Sequence, residues 1–256
     1  MSVVVVSGTG TEIGKTVVTS AIAAAAIAAG RSVAVLKPAQ TGVGPQEPGD
    51  AAEAVRLAGS AVTAVELARY PEPLAPNTAA RRAGLRTLSP AEIAEAARQL
   101  SEAHDLVLVE GAGGLLVHFD DEGNTLADAA RLLGAPTVIV APAGLGTLNS
   151  TTLTAEALRA RDLNALGVVV GSWPQDPDLA ARCNLADLPK SSGVPLLGAI
   201  PERSGALSPD RFRTSAPTWL APPLWGTWSP DSFLTKWSPS AYTKPTPAGT
   251  SSPAGV

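Results

Sequence analysis

The sequence predicts an α/β domain in which helices cover both faces of a mostly parallel central sheet. Three observations carry this expectation. Short apolar, β-branched runs alternate with helical stretches over roughly the first 200 residues, the pattern of strand–crossover–strand units. The strand runs are apolar throughout rather than alternating, as expected for strands buried on both faces. The first run, Val3-Val4-Val5-Val6-Ser7, passes through a glycine-rich turn straight into an alanine-rich stretch, the layout of a βα unit.

The predicted strands are residues 3–7, 32–37, 106–110, 137–141, 166–170 and 196–200. The first predicted helix, 15–29, is an apolar run stopped by Gly30. A second, 50–59, opens on Asp50. The third, 90–102, has a complete start signal, with Ser89 as N-cap, Pro90 at the first helical position and Glu92 placed for a capping box. Helix 126–133 is closed by Gly134, and helix 147–160 completes the set. From about residue 215 the composition shifts to Pro, Ser, Thr and Gly, yet four of the five tryptophans lie beyond residue 218. Trp219, Leu220, Leu224 and Trp225 are expected to dock as a last irregular segment of a domain spanning 1–226. Residues 227–256 lack periodicity and are expected to form a poorly ordered tail.

Composition narrows the function. At 256 residues the chain buries one sizeable core. Its net charge of −4 argues against a nucleic-acid partner. A single cysteine, Cys183, excludes an intrachain disulfide and a cysteine-based metal site. The N-terminus has no basic leader, and the longest apolar run, 21–29, is too short to span a bilayer. The expectation is a cytoplasmic protein without a membrane partner.

The glycine-rich turn carries chemistry. Gly8-Thr9-Gly10-Thr11-Glu12-Ile13-Gly14-Lys15-Thr16 fits G-x-x-x-x-G-K-[ST] between a strand and a helix, the signature of a phosphate-binding P-loop. Its backbone N–H groups and the helix N-terminus cradle phosphate. Lys15 would reach the β- and γ-phosphates, and the Thr16 hydroxyl would ligate Mg²⁺. The predicted fold is therefore a single P-loop NTPase domain that binds a nucleoside triphosphate, with Glu12, Ile13, Gly14, Lys15, Thr16 and Val17 around the phosphates.

Three further segments lie at predicted strand or helix ends. Lys37-Pro38-Ala39-Gln40-Thr41-Gly42 ends the second strand, so Lys37 and Thr41 would face the same crevice as Lys15. A second lysine there can stabilise charge on a transferring phosphoryl group, although an exposed strand-end lysine has the same spacing. Glu110, before Gly111-Ala112-Gly113-Gly114, stands where P-loop enzymes keep a Mg²⁺-binding carboxylate. Asp50 is either the cap of a helix or a second carboxylate near the metal.

Together with Arg69-Tyr70-Pro71-Glu72-Pro73-Leu74-Ala75-Pro76 and Gly144-Leu145-Gly146-Thr147-Leu148-Asn149, these segments resemble the dethiobiotin synthetase family over about residues 1–200. The K-P-x-Q-T-G and E-G-A-G-G pair at this distance is its most specific part. The resemblance implies an ATP-dependent, Mg²⁺-dependent ligase that carboxylates 7,8-diaminopelargonate with CO₂, phosphorylates the carbamate and closes a cyclic urea. It implies Lys37, Lys15 and Thr11 as catalytic residues, and Thr16, Asp50 and Glu110 at the metal. Thr11, Lys37, Thr41, Gly144, Leu145 and Asn149 would bind substrate, and the protein would be a homodimer with the substrate tail reaching the partner. Thr147 or Asn149 serving as an ordinary helix cap is the alternative for the last stretch. Base contacts fall on Gly171, Ser172, Ile200, Pro201 and Glu202, but Gly171-Ser172-Trp173-Pro174 departs from the family's asparagine for the purine. Trp173 would either stack on a base or belong to the core or surface. The alternative function is a dimeric P-loop switch ATPase of the partitioning or cell-division type. Those proteins carry an additional lysine where this chain has Gly10.

Overall fold

The computed structural model describes residues 2–239. In chain order the elements are β1 (Val3–Gly8), α1 (Lys15–Ala28), β2 (Val33–Thr41), α2 (Asp50–Ala58), β3 (Val62–Tyr70), α3 (Pro76–Ala83), α4 (Pro90–Ala103) and β4 (Leu106–Glu110). There follow α5 (Leu126–Leu133), β5 (Thr137–Ala141), α6 (Thr147–Arg159), β6 (Ala165–Trp173), α7 (Leu179–Ser192), β7 (Leu196–Pro201), α8 (Pro209–Ser215) and α9 (Pro230–Trp237). The strands form one seven-stranded sheet in the order β3-β2-β4-β1-β5-β6-β7. Every neighbouring pair is parallel, so the sheet is more uniform than the mostly parallel one expected.

The uninterrupted apolar strands divide their side chains between two layers. Val4 and Val6 of β1, Val33 and Val35 of β2, and Leu106 and Leu108 of β4 enter the core beneath α1 and α2. Val5, Ala34, Leu36, Val107 and Val109 enter the core on the opposite face, beneath α3, α4 and α5. The two-residue alternation is intact, but both sides are dry, so polarity does not report it. α1 tolerates extensive burial because half of its buried positions are alanine. The Ser89 capping box forms as expected: Ser89 Oγ accepts the Glu92 N–H at 3.3 Å, and Glu92 Oε2 accepts the Ser89 N–H at 2.9 Å.

Three differences from expectation have physical causes. Edge strand β3 carries Glu66 and Arg69 at half-buried positions and does not read as an apolar run, yet it pairs with β2 along its length. Helices α3 and α7 were also not anticipated; α7 carries Pro189 near its last turn. Beyond β7, residues 216–228 return along its edge, with Ala199 N–H bonded to Trp219 O and Ala221 N–H to Leu197 O. Trp219, Leu220 and Leu224 are buried there. Residues 227–239 then contradict the expected poorly ordered tail. Ser229 caps α9 by accepting the Ser232 N–H, Pro230 begins the helix, and Phe233 and Trp237 pack on Trp173. Aromatic contacts with a distant strand order a segment whose own sequence carries no periodicity. Residues 240–256 of the predicted tail lie outside the described residues.

Candidate active site

A cavity of about 490 Å³ opens at the carboxyl ends of β1, β2 and β4, beside the central strand where the sheet order reverses direction, the usual ligand position in open parallel sheets. It is lined by Thr11, Glu12, Gly14, Lys15, Thr16, Val17, Lys37, Gln40, Thr41, Asp50, Glu110, Ala112 and Gly113. The P-loop, β2, the start of α2 and β4 thus meet at one place.

The P-loop is shaped by close backbone packing. Gly14 has φ +90°, and a Cβ there would lie 2.5 Å from the Gly171 carbonyl oxygen. Conversely, a Cβ on Gly171 would fall inside the Ile13 carbonyl oxygen. The end of β6 is therefore a floor on which the loop rests, and only two glycines allow that approach. Glu12 adopts φ +57°, a left-handed conformation that costs a non-glycine residue about 1–2 kcal/mol. Its side chain is exposed at the cavity mouth.

The charges form a connected cluster. Lys37 is buried, and its Nζ lies 2.6 Å from Asp50 Oδ2, 2.9 Å from Glu110 Oε1 and 3.0 Å from Gly111 O. Three acceptors match the three N–H donors of an ammonium. The Thr16 hydroxyl donates to the same Glu110 Oε1 at 2.9 Å. Burial disfavours the charge on Lys37, but Glu110 and Asp50 more than compensate and raise its pKa above the ordinary lysine value. Burial likewise opposes charge on Asp50, where Lys37, then Thr16 and Lys15, prevail and hold the carboxyl below its usual range. Lys15 behaves differently. Desolvation and then the nearby Lys37 charge lower it to about 8, against the opposing pull of Glu110 and Asp50. Its Nζ donates to Gly10 O at 2.5 Å, within the loop itself.

The structure decides several alternatives. Gly49, not Asp50, is the N-cap of α2 and makes no side-chain cap; Asp50 is the first helical residue and turns its carboxylate to Lys37. Lys37 is a buried partner of two acids, not an exposed strand-end lysine. Neither Thr147 nor Asn149 caps α6, whose N-cap is Gly146 in the left-handed region without a side-chain bond. Trp173 is buried, with Phe233 and Trp237 rings edge-on at 5.2 and 5.8 Å, so its indole belongs to the core and not to a base.

The remaining expected residues lie outside the cavity. Gly144 and Leu145 stand on the β5–α6 loop and Asn149 in the first turn of α6, with Leu145 93% exposed. Ser172, Pro201 and Glu202 are exposed at the ends of β6 and β7. The side chain of Ile200 is fully buried in the core, which leaves only its backbone for a ligand. Glu202 ties the two strand ends together: its N–H donates to Trp173 O at 2.7 Å, and its Oε1 accepts the Gln175 N–H at 2.9 Å. Gln40 lines the cavity and accepts the Asp50 N–H at 2.7 Å. Its only sequence signal is its place inside the K-P-x-Q-T-G motif, one residue before the end of β2.

Oxygen donors from Thr16, Asp50 and Glu110 suit a hard divalent cation such as Mg²⁺. Glu110 Oε2 is buried and has no hydrogen-bond partner among the described residues. A buried carboxylate oxygen without a partner is costly, and a cation there would satisfy it.

A P-loop beside a parallel sheet, with two lysines and two carboxylates gathered from α1, β2, α2 and the end of β4, defines a nucleotide-dependent phosphoryl-transfer class of site. A family profile described as an AAA domain matches residues 2–209. The chain is 68% identical over 239 residues to ATP-dependent dethiobiotin synthetase of Streptomyces avermitilis, covering 93% of this chain and all of that protein. It is 66% identical to the protein of the same name from Saccharopolyspora erythraea, covering 90% and 100%. This chain belongs to the ATP-dependent dethiobiotin synthetase family. Among solved structures, a ParA family ATPase from Chlorobium tepidum matches with TM-score 0.54 at 11% identity over 88% of this chain and 96% of that one. The MinC:MinD cell division complex of Aquifex aeolicus matches at 0.53 and 13%, over 84% and 86%. At such identities the likeness is one of fold alone.

Proposed function

We propose that this protein is an ATP-dependent dethiobiotin synthetase acting on 7,8-diaminopelargonate and CO₂. The observation that carries the reading is the convergence of Lys15, Lys37, Thr16, Asp50 and Glu110 on one cavity, in a chain two-thirds identical to proteins of that name. One substrate amine takes up CO₂ to give a carbamate, whose oxygen attacks the γ-phosphorus of ATP and releases ADP. The second amine then attacks the carbonyl of the mixed anhydride, phosphate leaves, and the cyclic urea closes.

The roles assigned to the chain are those the family resemblance implies, and the gathering of Lys15, Thr16, Lys37, Asp50 and Glu110 on one cavity supports the ones at the phosphate end. P-loop residues 12–17 bind the triphosphate, and Lys15 exchanges its Gly10 contact for phosphate oxygens. Thr11, exposed on the loop, contacts the carbamate, and Thr41 the amine end of the substrate. Lys37 sits across the cavity from the P-loop and supplies positive charge to the transferring group, for which positioning and electrostatics are most of the catalysis. Thr16, Asp50 and Glu110 hold Mg²⁺, which neutralises phosphate charge when bound. Gly144, Leu145 and Asn149 take the carboxylate tail of a substrate bound mainly by the partner of a homodimer. The 200–202 segment and Ser172 border the base. Among the described residues no helix is long and apolar enough to cross a membrane, and we place the enzyme in the cytoplasm.

The switch-ATPase reading shares this fold, but nothing at the site favours it over a synthetase. ATP turnover in bicarbonate, with and without 7,8-diaminopelargonate, separates the two. The synthetase hydrolyses ATP only with the diamine and forms one cyclic urea per ADP; turnover independent of the diamine, with no urea formed, refutes it.

A further inference from the structure

The segment from Arg69 to Pro76 marks the family, yet none of the cavity-lining residues comes from it. It lies behind the loop of residues 42–49, which carries the chain from β2 to Asp50. That loop holds three glycines and two prolines and belongs to no helix or strand, so its course must be set from outside.

Arg69, near the end of β3, supplies one fastening. Glu66 fixes its guanidinium: Nε donates to Oε2 at 3.0 Å, and Nη2 to Oε1 at 2.9 Å and Oε2 at 2.7 Å. Nη1 is then aimed at the loop, where it donates to Gly44 O at 2.9 Å and Glu47 O at 2.5 Å. A second fastening is the Gly42 N–H, shared between Tyr70 O and Glu72 O at 3.1 Å each. Gly42 has φ +76°, and a Cβ there would come 2.9 Å from Pro73 Cβ. The third is Gln40 Oε1, which accepts the Asp50 N–H. A Cβ on Gly49 would lie 2.7 Å from both Gln40 Oε1 and Glu66 Oε1, so the loop is seated directly on this network.

We propose that Arg69 is a positioning residue for the divalent-cation site. It acts through loop 42–49 to set where the Asp50 carboxylate stands relative to Thr16 and Glu110, and contacts neither nucleotide nor substrate. The inference rests on the reading of Thr16, Asp50 and Glu110 as cation ligands. Net charge is not the means, because Arg69 is neutralised by Glu66. The planar fork is, since it grips a carboxylate at two points and still reaches two carbonyls, which a lysine ammonium cannot reproduce.

The test uses Mn²⁺ as probe on the full chain without nucleotide, read from the electron-paramagnetic-resonance signal of the free ion. The variants are Arg69→Met, Arg69→Lys and Asp50→Asn. Both Arg69 variants should weaken Mn²⁺ binding about tenfold or more, the usual effect of losing support behind a metal ligand. Affinity for a fluorescent ADP analogue in EDTA should stay within about twofold, because Arg69 and the two carbonyls it holds make no hydrogen bond to the P-loop among the described residues. Weakened binding by Asp50→Asn with wild-type binding by Arg69→Met overturns the proposal and leaves the cation site standing. Wild-type binding by Asp50→Asn overturns the cation-site reading itself. A parallel fall in Mn²⁺ and nucleotide affinity in Arg69→Met means a general structural role, and also overturns the proposal. Should Arg69→Met not fold, Gln40→Met removes the acceptor for the Asp50 N–H together with a donor to Thr41 O; it should weaken Mn²⁺ several-fold, and an unchanged affinity overturns the proposal.

Discussion

The phosphate end of the site and the strand ends around residues 171–175 and 200–203 are built by opposite means. The phosphate end is one continuous loop with charged residues added from β2, the start of α2 and the end of β4, and each requirement selects a residue type at a fixed distance along the chain. The other end is assembled from segments far apart in sequence: the floor at Gly171, the Glu202 link to Trp173, and the aromatic helix α9 packed on Trp173. Chemistry that acts through charge and backbone donors leaves a spacing; architecture that acts through packing leaves only composition.

This contrast breaks first at Lys37. Replacing it with Gln should lower turnover about a thousandfold, as expected for a group that stabilises transition-state charge, with little loss of affinity for a fluorescent ATP analogue. A parallel fall in affinity would make Lys37 a binding residue. Gly171→Ala comes next. Its Cβ must push the Ile13 carbonyl, which should cost about 1–3 kcal/mol and weaken binding of inorganic triphosphate and of ATP equally. A change confined to base preference would instead place Gly171 with the base. Truncation after Gly226 removes Trp228, Phe233 and Trp237 from the aromatic cluster. A thermal melt should show a loss of about 3–5 kcal/mol, with turnover kept in the cold; an unchanged melting temperature would return α9 to the status of a dispensable tail.

The smallest effect concerns protons. Lys15 stands near 8 in the folded chain against an ordinary lysine value of 10.5. Between those values the unfolded chain holds a proton that the folded chain has released. Lys15 therefore disfavours folding fully below about pH 8, and the penalty fades as the pH rises toward 10.5. A bound triphosphate favours the ammonium again. Calorimetry near pH 9 in buffers of different ionisation heat should show nucleotide binding taking up a fraction of a proton, and no uptake near pH 7. Equal enthalpies in all buffers at the higher pH would refute a depressed Lys15.

Much of the fold was legible because β-branched runs, alanine-rich helices and the Ser89 capping box each act locally. Edge strand β3 was not, since Glu66 and Arg69 are there to hold a loop and interrupt its apolar pattern. Lys15, Thr16, Lys37 and Glu110 were legible from motif and strand position. The partner of Asp50 was not, because capping and ion pairing call for the same residue at the same place and only the fold separates them. α9 escaped for a further reason: what orders it is the Trp173 face, and no local pattern in 227–239 reports a contact made elsewhere.

The cavity lined by two lysines and three carboxylates, counting Glu12 at its mouth, has a kinetic consequence. Such a pocket carries no surplus positive field, and the chain as a whole is negative. It cannot draw a polyanion from a distance, so nucleotide capture proceeds by ordinary collision, without the acceleration that a basic funnel gives. A nucleotide already paired with its cation meets less repulsion than a bare one. The association rate should therefore change little with ionic strength, and the specificity of the encounter begins only once phosphate touches the loop.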